Sequence, residues 1–280
     1  MTIPVRSLCD QNKKTMELQN NTILITGGTS GIGLELATRL LELGNTVIIT
    51  GRDLAKLEQT KKALPKIHIF QSDVSDPAAI EVLYAAVTRQ FPDLNFLINN
   101  AGEMRRLDLH DPSLDVYDIN REIAINLSGP IRMVQQFLPW LSSRPHAAIM
   151  NVTSGIALVP FPLSPIYSAT KSGLRAYTRT LRVQVKKDNI KVFELVAPGA
   201  NTPLNDKFLG DVDPRMFMDA GKLVTATIKG LRKDTFEIFP GIALLLKYMS
   251  RLAPGLIFGQ MSKIADKSFA RTRASFAINY

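Results

Sequence analysis

An apolar, β-branched run, Asn21-Thr-Ile-Leu-Ile-Thr26, stops at a glycine cluster, and those glycines open a segment with helical apolar spacing. Ile32, Leu36, Ala37, Leu40 and Leu41 share one face of it up to Gly44, a plausible C-terminal cap. A buried strand joined to a helix by a tight turn is how a βαβ unit begins. The alternation continues. Further strands are expected at 46–50, 67–70, 94–98, 147–152, 190–196 and 236–239. Further helices are expected at 52–63, 77–91, 117–141 (broken only near Pro130), 166–187 and 214–233. Such alternation implies right-handed crossovers and a parallel sheet covered on both faces. The expected fold class is α/β, a Rossmann-like doubly wound parallel sheet of about seven strands, with its ligand crevice at the carboxyl ends of the strands.

The chain has 280 residues, 45% hydrophobic and 21% charged. That is an ordinary globular mix and excludes intrinsic disorder, collagen and a small disulfide scaffold. With no internal repeat, low-complexity tract or Ser/Gly linker, the expected organisation is a flexible lead-in over 1–17, one domain over 18–240, and a basic amphipathic extension over 241–280. Cys9 is the only cysteine, so no intrachain disulfide forms, and a reducing, cytoplasmic compartment is expected. The first 15 residues have no apolar core and include Arg6, Asp10, Lys13 and Lys14, which does not read as a secretory signal. His68, His110 and His146 are too scattered to form a metal site, and no metal is expected.

Thr26-Gly27-Gly28-Thr29-Ser30-Gly31-Ile32-Gly33 follows the first strand and opens the first helix. Glycines there let the backbone approach a pyrophosphate, and the helix N-terminus offers free N–H groups. Gly27, Thr29, Ser30, Gly31, Ile32 and Gly33 are the candidate contacts. The spacing is T-G-x-x-x-G-x-G rather than the standard G-x-G-x-x-G. After the second strand, Gly51 stands where NAD-binding folds carry an acidic side chain, and Arg52 follows it. A guanidinium there suits the 2′-phosphate of NADP, so NADP is favoured over NAD. The competing reading is a solvated arginine opening a helix, with Asp53 a rival for the ribose. Asp73 and Val74 end the third strand, where a carboxylate and the next N–H suit adenine; Asp76 is free to cap the following helix. Asn99-Asn100-Ala101-Gly102 ends the fourth strand. Asn100, Ala101 and Gly102 leave room for a cofactor, and Asn99 is expected to brace the turn.

Tyr167 and Lys171 lie at i and i+4 on an expected helix and so share a face. A free phenol has a pKa of about 10, too high for base work near neutrality. An ammonium one turn away, together with a positive nicotinamide ring, stabilises the phenolate. Lys171 also suits the nicotinamide ribose. Ser154, 13 residues earlier, can hold a substrate oxygen while Tyr167 moves the proton. Asn126 is a poor helix former inside a long helix, which suggests a bound water or local kink extending a proton relay; a solvent-facing Asn is the alternative.

These motifs, in this order over about residues 18–202, resemble the single-domain short-chain dehydrogenase/reductases, and within them the DltE-type oxidoreductases, through 23–36, 64–74 and 92–102. The resemblance implies hydride transfer between NAD(P) and an alcohol or carbonyl, with Tyr167 as acid/base. It also implies dimers or tetramers assembled through the helices at 117–141 and 166–187. The segment Pro198-Gly199-Ala200-Asn201-Thr202 departs from the family's Pro-Gly-x-Val-x-Thr by one residue: either the turn is tightened or Ala197-Pro198 takes the Pro-Gly place. Pro198, Gly199 and Thr202 are the candidate nicotinamide contacts. An intact Asn126, Ser154, Tyr167 and Lys171 set argues against a cofactor-sensing protein that has lost its chemistry, and the short remainder after Thr202 argues against a sugar-nucleotide epimerase.

Residues 155–166 are almost wholly apolar, and they read as a substrate wall or as core and subunit packing; as a wall they imply an apolar small-molecule substrate. Residues 204–213 are expected to form a mobile lid. The chain carries net charge +9, and residues 240–280 hold six basic side chains and one acidic. The favoured reading of that tail is helices packed on the fold or on a partner; contact with an anionic membrane surface is the alternative. Nucleic acid is not expected, since the sequence has no helix-turn-helix and no interleaving of aromatic with basic residues.

Overall fold

The computed structural model describes residues 15–277, with side chains to Arg271. Most of the expected lead-in, residues 1–14 with Cys9, therefore lies outside the described residues. Seven strands, β1 (Thr22–Thr26), β2 (Thr46–Gly51), β3 (His68–Gln71), β4 (Leu94–Asn99), β5 (Ala147–Ser154), β6 (Ile190–Ala197) and β7 (Glu237–Ile238), form one sheet in the order β3-β2-β1-β4-β5-β6-β7. Every pairing is parallel. The helices between them are α1 (Gly31–Glu42), α2 (Leu54–Ala63), α3 (Pro77–Gln90), α4 (Arg121–Ile123), α5 (Gly129–Ser142), α6 (Pro165–Gln184) and α7 (Ala220–Arg232); α8 (Ile242–Leu252) and α9 (Pro254–Ala277) follow.

Alternation along each strand sorts the core into two layers. Ile23, Ile25, Val47 and Ile49 pack with Leu36 and Leu40 of α1 and Leu223, Val224 and Leu231 of α7. Leu24, Ile48, Leu97 and Ile149 face the other way, onto α3, Met133, Val134 and Phe137 of α5, and Leu181 of α6. The strand order reverses between β1 and β4, and this splayed junction is where a doubly wound sheet leaves a crevice.

Two expected helices are built differently. Over 117–141 the helix begins only at Arg121, and Tyr117 is exposed in a turn whose N–H donates to Asp115. The break is a wide π-type turn, Ala124–Ser128, centred on Asn126. Pro130 sits in the first turn of α5; it has no N–H to give the Asn126 carbonyl four residues earlier, so the regular ladder cannot pass through. The kink anticipated at Asn126 is present, and proline is its cause. Over 214–233, a 3-10 turn (Pro214–Met216) is separated from α7 by an extended stretch. Met218 donates to the Gly199 carbonyl and accepts from the Asn201 N–H, so those residues form an extended bridge beyond the end of β6 instead of coiling. Asp219 then caps α7 by accepting from the Lys222 N–H.

Candidate active site

A cavity of about 440 Å³ opens at the carboxyl ends of the strands, running from the turn after β1 past Tyr167 to α8 and α9. Gly27, Thr29, Ser30, Gly31 and Ile32 form its first wall. Ser30 precedes α1 without making a side-chain cap, so the first N–H groups of the helix are not taken by that hydroxyl. Gly31 has φ +54°, a conformation that suits glycine, and a Cβ there would press on Thr202 across the cavity. Gly33, expected as a contact, does not line the cavity. Its missing side chain is needed elsewhere: a Cβ would stand 2.2 Å from the Gly27 carbonyl and 2.4 Å from Asn100 Nδ2.

The brace of this turn is Asn100 rather than Asn99. Asn100 Nδ2 donates to the Thr26 and Gly27 carbonyls at 3.0 and 2.9 Å, and the Asn100 and Ala101 N–H groups donate to Thr26 Oγ1. Asn99 points into the sheet's helical layer instead and donates to Asn151, which donates to Thr178 on α6. Strand alternation sends neighbouring side chains to opposite faces, so only one of the two asparagines reaches the turn. Asn100, Ala101 and Gly102 all line the cavity.

At the far side, Arg52 is exposed with its guanidinium 3.9 Å from Glu103 Oε2 across the cavity. Asp53, the feared rival, accepts from the Lys56 N–H and caps α2. Asp73 and Val74 line the wall; Asp73 Oδ1 accepts from the Ser75 N–H and hydroxyl, and Asp76 caps α3 as expected. Pro198, Gly199 and Thr202 also line the cavity, as does Ala197. This wall of uncapped helix N-terminus and glycine backbone fits the pyrophosphate of a dinucleotide.

Ser154 ends β5, Tyr167 and Lys171 lie one turn apart on α6, and all three are buried at the cavity's midpoint. Burial pushes the Tyr167 phenol well above its usual range, and the neighbouring Ser154 hydroxyl opposes that push. Lys171 Nζ donates to the Val152 carbonyl at 2.9 Å and lies 5.5 Å from the Tyr167 ring centre. Burial lowers its pKa to about 8. The expected lowering of Tyr167 by Lys171 is therefore not seen in the protein by itself: desolvation dominates, and the Glu122 charge adds to it. The Asn126 amide is committed to structure. Its Oδ1 accepts from the Glu103 N–H at 2.8 Å, and its Nδ2 donates to the Glu103 carbonyl and Thr170 Oγ1.

Several neighbours were not legible as site residues. Glu122, wholly buried, accepts from the Arg105 N–H and Nε, and its charge adds to the upward push on Tyr167. Its place four residues before Asn126, on the same helix face, was the available signal. Beyond Tyr167 the cavity turns apolar, with Phe161 and Phe208 joined by Leu246 of α8 and Ile264 of α9. The expected lid, 204–213, contributes Leu204 and Phe208; its Asp211 pairs with Arg106 and Arg271, which ties it to its surroundings.

Residues 21–212 match the short chain dehydrogenase family model. The uncharacterized oxidoreductase DltE of Bacillus subtilis (strain 168) is 44% identical over 192 residues, which are 69% of this chain and 76% of that one. Two solved structures share the fold. A short chain dehydrogenase/reductase from Burkholderia phymatum in complex with NAD has a TM-score of 0.76 at 22% identity, covering 85% of this chain and 94% of that one. A short chain dehydrogenase from Burkholderia cenocepacia J2315 in complex with NADP also has a TM-score of 0.76, at 21% identity, covering 88% and 99%. The match spans well over half of the chain and runs from β1 through β6 and their connections: the chain belongs to the short chain dehydrogenase family.

Proposed function

We propose that the protein is an NADP(H)-dependent oxidoreductase that interconverts an alcohol and a carbonyl on an apolar small molecule, with Tyr167 as general acid/base. The observation that carries this reading is the convergence of Ser154, Tyr167 and Lys171, buried where the cavity's glycine-lined end meets its apolar end. Gly27 and Thr29–Ile32 present backbone to the pyrophosphate; Arg52 meets the 2′-phosphate; Asp73 and Val74 meet adenine; Pro198, Gly199 and Thr202 meet the carboxamide. When bound, the nicotinamide supplies or accepts the hydride.

Ser154 donates to the substrate oxygen and aligns it with Tyr167. In the reductive direction Tyr167 gives its proton to that oxygen; in oxidation it takes the proton back. Lys171 holds the ribose hydroxyls and, protonated, stabilises the phenolate formed. Asn126 positions the loop after β4 through Glu103, and its own carbonyl, which Pro130 cannot serve, is a docking point for a relay water. Phe161, Phe208, Leu246 and Ile264 exclude water around the reacting carbon and favour an apolar substrate. Half-buried Ile123, Leu127 and Ile131 support pairing of two copies through the π-turn, α5 and α6.

The test is turnover by purified protein with NADPH and a panel of carbonyls, followed by nicotinamide absorbance. We expect oxidation of NADPH with apolar aldehydes or ketones and little with charged ones. No turnover across the panel in either direction overturns the proposal.

A further inference from the structure

We propose that the outer face of the α8–α9 hairpin docks the protein on an anionic lipid surface. Among the described residues, seven of the fifteen exposed large apolar side chains fall between Ile242 and Phe258. Ile242 also lines the cavity and Phe258 a hollow beside Leu158–Pro160, which leaves Leu244, Leu245, Tyr248, Leu252 and, across the bend at Ala253, Leu256 on the outer face. A soluble face of this kind is unusual, because each exposed apolar group forgoes the gain of burial, and a contiguous patch marks a surface that meets something apolar.

The exposure follows helical period. Leu244, Leu245, Tyr248 and Leu252 form one stripe of α8, while Ala243 on the opposite side is buried and Leu246 lines the cavity. On α9 the exposed stripe runs Leu256, Gln260, Lys263, Lys267 and Arg271. It is apolar at the bend and basic further on. At 1.5 Å rise per residue, Lys263 stands about 10 Å along the helix from Leu256, the depth over which interfacial helices meet the headgroup layer. Leu252, at the bend, is 81% exposed, the highest of the seven.

Charge decides what covers this face. Arg251, Lys263 and Lys267 are exposed and make no ion pair with a described residue, and Asp266 is the only acidic side chain from 240 to 280. A second copy of the same face would set like charges against each other; an anionic bilayer offers both the negative charge and the apolar interior. Neither helix alone is long and apolar enough to cross a membrane, and the two turn by 119° at the bend, which suits lying on the surface with the bend lowest. The inner faces of the same helices wall the apolar end of the cavity, so docking brings that end within about one helix diameter, roughly 10 Å, of lipid.

The experiment is flotation of the full chain with vesicles of phosphatidylglycerol and phosphatidylcholine in equal parts, and with phosphatidylcholine alone, at low and high salt. We expect binding to the mixed vesicles to weaken on the order of tenfold in phosphatidylcholine alone or at high salt. Leu252→Glu with Leu256→Glu abolishes binding to both, whereas Lys263→Glu with Lys267→Glu removes only the preference for the anionic lipid. All variants keep the wild-type melting temperature, since the altered side chains are exposed. Failure of the wild type to float with mixed vesicles overturns the proposal. So does a wild-type dimer that Leu252→Glu splits, in light scattering, while vesicle binding stays unchanged: a second copy then covers the face.

Discussion

Between β1 and β4 the cavity is walled by turns, and what faces inward is backbone: Gly27 and Gly31, an uncapped helix N-terminus, and small residues at Ala101 and Gly102. Beyond Tyr167 it is walled by side chains standing on separate elements, Phe161 after β5, Phe208 after β6, Leu246 on α8 and Ile264 on α9. The first wall cannot change without disturbing the sheet, because its atoms are also the strand–helix connections: Thr26 Oγ1 accepts from two N–H groups of the loop after β4. The second can be rewritten one side chain at a time. A family keeps one cofactor chemistry and many substrates for this reason.

Five measurements break or sharpen the contrast. At the boundary between the two walls, Tyr167→Phe keeps the ring and removes the transferable proton. Turnover should fall about a thousandfold with cofactor affinity nearly unchanged; an equal loss of cofactor affinity would assign Tyr167 to the cofactor wall instead. Gly33→Ala should strain the turn and lower unfolding free energy by about 3 kcal/mol, since its Cβ would meet backbone that cannot move aside. Chemical denaturation checks it, and a neutral result means the turn yields.

Lys171 ties the walls together, and its burial has a pH signature. Its pKa is about 8 in the fold against 10.5 for an ordinary lysine, so between those values the unfolded chain binds a proton that the folded one has released. Raising pH through that window therefore stabilises the fold, while below about 8 both states are protonated and the burial penalty stands in full. The unfolding free energy of wild type minus that of Lys171→Met should rise by about 3 kcal/mol from pH 7 to pH 10.5. A flat difference would mean that water reaches the ammonium.

Arg52→Ala should weaken NADPH binding by about 2 kcal/mol, roughly thirtyfold, and leave NADH within about twofold. Calorimetric titration of both cofactors decides it, and equal wild-type affinities would remove the assignment of NADP. The smallest effect belongs to the side-chain wall: Leu246→Ala should raise KM for an apolar substrate by about fivefold and leave cofactor binding alone. A large loss of cofactor affinity there would erase the distinction between the two walls.

The parallel sheet, its seven strands and the glycine-built wall were readable in the chain because each depends on local pattern. Alternating runs set strands, 3.6-residue spacing sets helices, and glycine, Asp76 and Pro77 mark the junctions where chain direction changes. Tyr167 and Lys171 were readable together because one helical turn separates them. Tertiary structure decided matters that depend on which side a neighbour stands. It made Asn100 rather than Asn99 the brace, since the pleat gives the turn only one of two adjacent side chains. It committed the Asn126 amide to Glu103, 23 residues back in sequence, and it broke the 214–233 helix by pairing Met218 with the chain after β6. It also decided the direction at Tyr167, which burial, a property of the whole packed core, pushes upward. The tail's amphipathic composition was visible in the sequence, but only the packed α8–α9 hairpin determined which face lines the cavity and which is left bare, because that division follows from the bend at Ala253 and from the core it leans on.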